Sequence, residues 1–106
     1  MVSNHYKTKR YIREKFINEY LGGDGNVVDS FIINREHPMG EEVHCITDAG
    51  LIIIYNAQSQ KLITKLLARP QQIKRYYEST GREHPPEYEH ILNLTTLYNI
   101  LGFNEI

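Results

Sequence analysis

The segment VHCITDAGLIIIYNAQSQKLITKLLARP, residues 43–70, decides the fold. It contains three stretches rich in β-branched and aliphatic residues, a composition that favours strands. These are Val43–Thr47, Leu51–Tyr55 and Lys61–Ala68. The polar links at 48–50 and 56–60 are short, and links of this length join antiparallel neighbours in hairpins. Because residues 51–55 are apolar throughout, we expect this strand to lie inside the sheet with both of its faces covered.

The flanking sequence predicts one further strand and three helices. Val27–Asn34 is rich in strand-forming residues. Helices are expected at residues 5–21, 71–79 and 87–101, from apolar spacing and from stop signals at Gly and Pro. The order predicts a single α+β domain over residues 1–106. It has an N-terminal helix, a four-stranded antiparallel β-sheet meander and two C-terminal helices.

The overall composition is that of an ordinary globular protein. Hydrophobic residues make up 41% and charged residues 24% of the 106 residues, which excludes a mainly disordered chain. The 12 Lys and Arg residues nearly balance the 13 Asp and Glu residues, giving a formal net charge of −1. This balance argues against a polybasic nucleic-acid binder.

Three features predict a cytoplasmic protein with no membrane segment. The basic N-terminus has no apolar stretch behind it, so no signal peptide is expected. The longest apolar run, residues 51–55, is far too short to span a bilayer. The single Cys45 can form no intramolecular disulfide; it predicts a reducing compartment and is expected to be buried and unreactive.

The motifs predict neither a cofactor nor a metal site. His84, Glu87 and His90 are spaced by three residues. On a helix the outer two diverge by roughly 120°, so they do not converge on one ion. The glycine run at 22–25 lacks both the lysine and the preceding strand of a phosphate-binding loop.

The charges are balanced in sum but segregated along the chain. Residues 24–48 contain six acidic residues and one basic residue, whereas residues 61–77 contain five basic residues and no acidic one. Residues 5–15 add five basic residues against one acidic residue. One interpretation is a basic surface that binds the phosphates of single-stranded nucleic acid, with tyrosines as stacking partners. The other is that each run is the solvated side of an amphipathic element.

His44 is the main candidate for acid–base chemistry. If Val43 and Cys45 face the core, alternation places His44 on the opposite face of the sheet. There it could act as general base for a ribose 2′-hydroxyl while Lys65 and Arg69 hold the phosphate. This hypothesis needs the three side chains to converge. The residues expected to hold the nucleic-acid strand are Lys61, Lys74, Arg75 and Tyr77. A structural histidine is the alternative, and His37 in the loop before β-rich residues 43–47 is a second acid–base candidate.

The residues 43–56 and 61–70 resemble the small RNase-toxin-like proteins of bacteria and phages, the barnase, EndoU, colicin and RelE-like group. They also resemble small uncharacterised proteins of Gram-positive bacteria and their phages with a similar sheet and a similar ARPQQIKRYY segment. The resemblance implies a helix before a meandering antiparallel sheet whose strands carry the residues for metal-independent RNA cleavage. It makes His44 the acid or base, and Lys65 and Arg69 the phosphate ligands.

A non-enzymatic role is the alternative function. An accessory protein of a phage or mobile element could act through a protein partner, with its acidic 24–48 face meeting a basic surface. A molecule with one acidic and one basic face could also associate with itself.

Overall fold

The computed structural model describes residues 4–35 and 40–105. Within these ranges the chain forms the predicted α+β arrangement of one helix, a four-stranded antiparallel sheet and two further helices. The elements are α1 (Asn4–Glu19), β1 (Val27–Arg35), β2 (Gly40–Thr47), β3 (Leu51–Asn56), β4 (Leu62–Leu67), α2 (Pro70–Thr80), α3 (Tyr88–Leu101) and a 3-10 turn (Phe103–Glu105). Neither described range contains a helix long and apolar enough to cross a membrane.

The four strands lie side by side in chain order, so each one pairs with the next. β3 lies between β2 and β4, and its first three residues, Leu51, Ile52 and Ile53, are at most 4% exposed. The expectation that this all-apolar strand is internal and covered on both faces is therefore confirmed.

The turn between β2 and β3 is fixed by α3. Gly50 has φ +82°, and a Cβ at this position would lie 2.8 Å from the ring of Tyr98. The Tyr98 hydroxyl donates a hydrogen bond of 2.6 Å to the carbonyl of Ala49. Only glycine meets both the backbone conformation and the close approach of the ring, so this turn sets the position of α3 on the sheet.

Side-chain alternation divides the sheet into two faces. The face that packs against α2 and the first half of α3 is called the α2 face; its buried residues include Phe31, Ile46 and Ile52. The opposite face packs against α1 and the second half of α3 and is called the α1 face; its buried residues include Leu51, Ile53 and Leu67. Helix residues complete the two cores: Ile73, Tyr77 and Ile91 on the α2 face, Ile17 and Tyr98 on the α1 face.

The register assigns the candidate residues to these faces. His44 lies opposite Phe31 in β1 and Ile54 in β3, which places it on the α2 face. Lys65 lies opposite Ile53, which places it on the α1 face. Ile53 and Ile54 are neighbours in β3 and point to opposite faces, so their partners Lys65 and His44 lie on opposite sides of the sheet.

Candidate functional site

His44 is held between a carboxylate and a phenol. It is 4% exposed, its Nε2 lies 2.9 Å from Oε1 of Glu42, and its Nδ1 lies 2.6 Å from the hydroxyl of Tyr76. Glu42 precedes His44 by two residues in β2, so alternation puts both on the same face. Tyr76 comes from α2, which crosses above that face. The expected alternation around His44 holds, but the face it points to is covered by a helix.

The direction of the hydrogen bonds follows from the charge of Glu42. The bond from His44, opposed by burial and reinforced by Arg35, holds the pKa of the Glu42 carboxyl below its ordinary value. Because this carboxylate is ionised and only accepts, Nε2 of His44 carries a proton and donates it. In the neutral ring Nδ1 is then the acceptor for the Tyr76 hydroxyl. Burial raises the pKa of Tyr76 to about 12, so the phenol retains its proton.

Arg35 extends this network toward solvent. Its Nε donates a hydrogen bond of 3.1 Å to the same Oε1 that accepts from His44. The Arg35 side chain is 54% exposed, whereas that of Glu42 is 8% exposed. The guanidinium therefore compensates the buried carboxylate and leaves part of its donor fork available at the surface.

A cavity of about 360 Å³ adjoins the network between α2 and the sheet. We call it the His44 cavity. Its apolar lining comes from the sheet: Ile33, Ile52, Ile54 and Leu66. Its polar lining comes from both layers: Arg35, His44, Gln72, Arg75, Tyr76 and Ser79. Two arginines, an imidazole and a phenol around an apolar floor suit a ligand that carries both an anionic group and a flat apolar part.

The predicted set of His44, Lys65 and Arg69 does not converge. Nζ of Lys65 lies 2.9 and 3.1 Å from the two carboxylate oxygens of Asp24, on the α1 face. Arg69 precedes α2, where its backbone N–H donates to Oε1 of Gln72 over 2.9 Å, and its side chain lines a different cavity. The expectation that these three residues form one site is wrong, because the sheet lies between Lys65 and His44.

Of the four residues predicted to hold a nucleic-acid strand, three are exposed and one is not. Lys61, Lys74 and Arg75 are exposed, and of these Arg75 lines the His44 cavity. Tyr77 is 2% exposed, and its hydroxyl donates to Asp29 over 3.0 Å. Burial, then this bond, raises the pKa of Tyr77. Its role as a stacking partner was a wrong prediction, because four residues after Ile73 it lies on the inward side of α2.

Most of the described acidic side chains of residues 24–48 are paired with other groups of the fold. Asp24 binds Lys65, Asp29 binds Arg82 over 2.6 Å, and Glu42 binds both Arg35 and His44. Asp48 accepts from the backbone N–H of Asn26 over 2.8 Å. Segregation of charge along the sequence therefore does not produce an equally acidic surface. Glu36 and His37 lie outside the described residues.

Glu42 and Tyr76 were not expected from the sequence as partners of His44, nor was Arg35 as a partner of Glu42. The available signal was the Glu-Val-His order of residues 42–44, which places a carboxylate and an imidazole side by side on one face of a strand. Cys45 lies on the α1 face and is only partly buried, so the expectation of a buried cysteine is not met in full; burial nevertheless raises the pKa of its thiol. In the described part of the chain, no group of three His, Cys, Asp or Glu side chains could hold a metal ion.

Comparison with known proteins identifies no relative of the chain. No protein-family model, curated protein or solved structure matches the chain.

Proposed function

We propose that the protein binds single-stranded RNA and cleaves it without a metal ion at the His44 cavity. The supporting observation is an imidazole oriented by Glu42 and joined to Tyr76, in a cavity that Arg35 and Arg75 line. The hypothesis built on Lys65 and Arg69 fails, because neither lies at this cavity; the present proposal is a different site, in which Arg35 and Arg75 bind the phosphate.

The proposed reaction follows from which atoms of the network carry protons: Nε2 of His44 and the Tyr76 hydroxyl do, and Nδ1 of His44 does not. The ribose 2′-hydroxyl donates its proton to the Tyr76 oxygen as the Tyr76 proton passes to Nδ1 of His44, and the imidazolium is stabilised by Glu42. The 2′-oxygen attacks phosphorus and the bond to the 5′-oxygen breaks, leaving a 2′,3′-cyclic phosphate. The departing 5′-oxygen takes a proton from water, and His44 later returns its own proton to solvent. Since the pKa of Tyr76 is raised to about 12, the phenol passes a proton without accumulating as phenolate.

The two arginines supply the electrostatic part. A guanidinium stays charged at all working pH values and matches two phosphate oxygens at once. Charge that develops on the non-bridging oxygens is stabilised by Arg35 and Arg75, which line the cavity. The apolar floor provides a surface for a base beside the reacting phosphate.

The test is cleavage of end-labelled single-stranded RNA in excess EDTA. We expect a cyclic-phosphate product, and no cleavage of DNA of the same sequence because DNA lacks the nucleophile. His44→Gln should lower kcat/KM by about 10²- to 10⁴-fold, and Arg75→Gln by roughly 10²-fold. Tyr76→Phe removes the hydroxyl alone and should also lose activity while it keeps the fold.

The matched control is Lys15→Gln, which removes an exposed cation from α1 that lines neither the His44 cavity nor the cavity beside Arg69. It should cleave like the wild type. Cleavage by His44→Gln at the wild-type rate, after identical purification, would refute the proposal, because a contaminating nuclease would then explain the activity. Absence of any cleavage by folded wild-type protein would refute it as well.

A non-enzymatic contact protein is the second candidate, favoured by the exposed edge of the sheet. β1 is an edge strand whose Val27 and Ile32 are 57% and 68% exposed. Edge strands of this kind accept a strand from a partner or from a second copy. Light scattering on size-exclusion peaks at low and high salt tests self-association: a monomer at all concentrations would count against it, and a pull-down from the native host tests for a partner.

A further inference from the structure

A second cavity, of about 430 Å³, lies beside the N-terminal end of α2 and is lined mainly by cations. Three of them, Lys9, Arg10 and Arg13, come from α1, and the fourth is Arg69. Within the described residues, Glu105 is the carboxylate that lines it. We call it the cationic cavity.

Among the described residues, Arg10 and the N-terminal end of α2 are only weakly compensated. Arg10 pairs with Glu14 over 3.3 Å, but both side chains are more than half exposed, and exposed pairs of this kind contribute little and exchange easily. α2 has no acidic residue in its first turn, so its own side chains do not neutralise its positive end. An anion in the cavity would be attracted by the exposed Lys9, Arg10 and Arg69 and by the positive end of α2.

The cationic cavity and the His44 cavity share one lining residue. Leu66 lines both of them. Gln72, which lines the His44 cavity, lies three residues after Arg69, about one helical turn away. Because these are two separate cavities, a ligand that fills both with anionic groups must carry more than one phosphate.

We propose that the cationic cavity binds a backbone phosphate next to the one held at the His44 cavity, so that the ligand is an RNA strand several nucleotides long. The inference rests on the proposed RNA function and specifies its substrate: short oligonucleotides reach only the His44 cavity, and longer strands reach both. Lys9, Arg10, Arg13 and Arg69 then set affinity for the strand and take no part in the bond breakage.

The experiment compares a dinucleotide and an octanucleotide of RNA. Binding is measured by fluorescence anisotropy on 2′-O-methyl strands, which cannot be cleaved, over a range of salt concentrations; cleavage is measured on the unmodified strands. Arg69→Gln should weaken octanucleotide binding by about tenfold. It should reduce the slope of log affinity against log salt by about 0.7, and leave dinucleotide cleavage unchanged.

Lys15→Gln is again the control, because it lies two residues beyond Arg13, about 200° around α1, and lines neither cavity. If Arg69→Gln and Lys15→Gln bind the octanucleotide equally well, the inference is wrong, even where the wild type cleaves RNA. If the wild type cleaves nothing but binds the octanucleotide in an Arg69-dependent way, the strand-binding inference stands and the proposed cleavage fails. Stronger binding of inorganic phosphate than of the octanucleotide would also overturn the inference, since a strand would then gain nothing from the second cavity.

Discussion

The two faces of the sheet each carry a carboxylate paired with a basic side chain, and the two pairs differ in their contact with solvent. On the α2 face, the side chains of Glu42 and His44 are 8% and 5% exposed. On the α1 face, those of Asp24 and Lys65 are 32% and 30% exposed. Water screens the attraction between Asp24 and Lys65, whereas Glu42 and His44 are desolvated and depend on each other for hydrogen bonds.

This difference bears on which face carries function. A buried polar network costs free energy relative to apolar packing, so it is a poor way to gain stability alone. The α2 face nevertheless keeps Glu42, His44 and Tyr76 in contact beside an open cavity. Perturbed groups that line a cavity are a common feature of functional sites, and the α1 face offers no comparable arrangement among the described residues.

The largest loss of unfolding free energy is expected from substitutions in the apolar cores of the two faces. Ile52→Ala removes packing on the α2 face and Ile53→Ala removes it on the α1 face, where these residues are 1% and 4% exposed. Each should lower the free energy of unfolding by about 2–5 kcal/mol, through lost burial and a residual cavity. Urea denaturation measures both. A loss below about 1 kcal/mol for Ile53→Ala would contradict the packing of α1 on the sheet.

The next largest effect is expected from Glu42. Glu42→Ala leaves the Nε2–H of His44 buried without its acceptor and removes the partner of Arg35, which should cost about 2–3 kcal/mol of unfolding free energy. Glu42→Gln keeps an oxygen acceptor of nearly the same shape and should cost less. Thermal and urea denaturation of the two variants measure the difference. Equal losses would show that the charge of Glu42, and not its acceptor, holds the network.

A smaller effect is expected when the charge of Glu42 is titrated. The hydrogen bond from His44 is the main cause that lowers the pKa of this carboxyl in the folded protein. A carboxyl with a lowered folded pKa stabilises the fold above its unfolded pKa, and this stabilisation is lost as the pH falls through the folded pKa. The stability difference between wild type and Glu42→Gln should therefore be constant near neutral pH and shrink as the pH drops below the ordinary value of 4.5.

Denaturation series of the two proteins at matched pH values measure this difference, and the contributions of other carboxyls cancel in the subtraction. A difference that stays constant down to pH values well below the ordinary one would mean that the pKa of Glu42 is unchanged by folding. The orientation of the hydrogen bonds assigned to His44 would then be wrong.

The sequence was sufficient for the sheet and insufficient for the site, for a physical reason. The hairpin links and the apolar run at 51–55 act locally, so the antiparallel meander and the internal position of β3 could be predicted from them. The face to which Lys65 points depends on the register between β3 and β4, and this pairing contains an irregularity between Ile54 and Tyr55. Which helix covers which face depends on tertiary packing and not on local sequence. It decides that His44 is buried under Tyr76 and that Tyr77 belongs to the core.

The smallest effect is expected at the pair on the α1 face. Asp24→Asn removes a partner of Lys65 that stays in contact with solvent, so it should lower the unfolding free energy by less than about 1 kcal/mol. Salt should abolish most of this loss between about 0.05 M and about 1 M, because an exposed pair is screened. A double-mutant cycle with Lys65→Gln isolates the coupling from the effects of either substitution alone. A coupling above about 2 kcal/mol that is insensitive to salt would show that Asp24 and Lys65 are as enclosed as Glu42 and His44. The two faces would then not differ in the way that favours the α2 face for the proposed site.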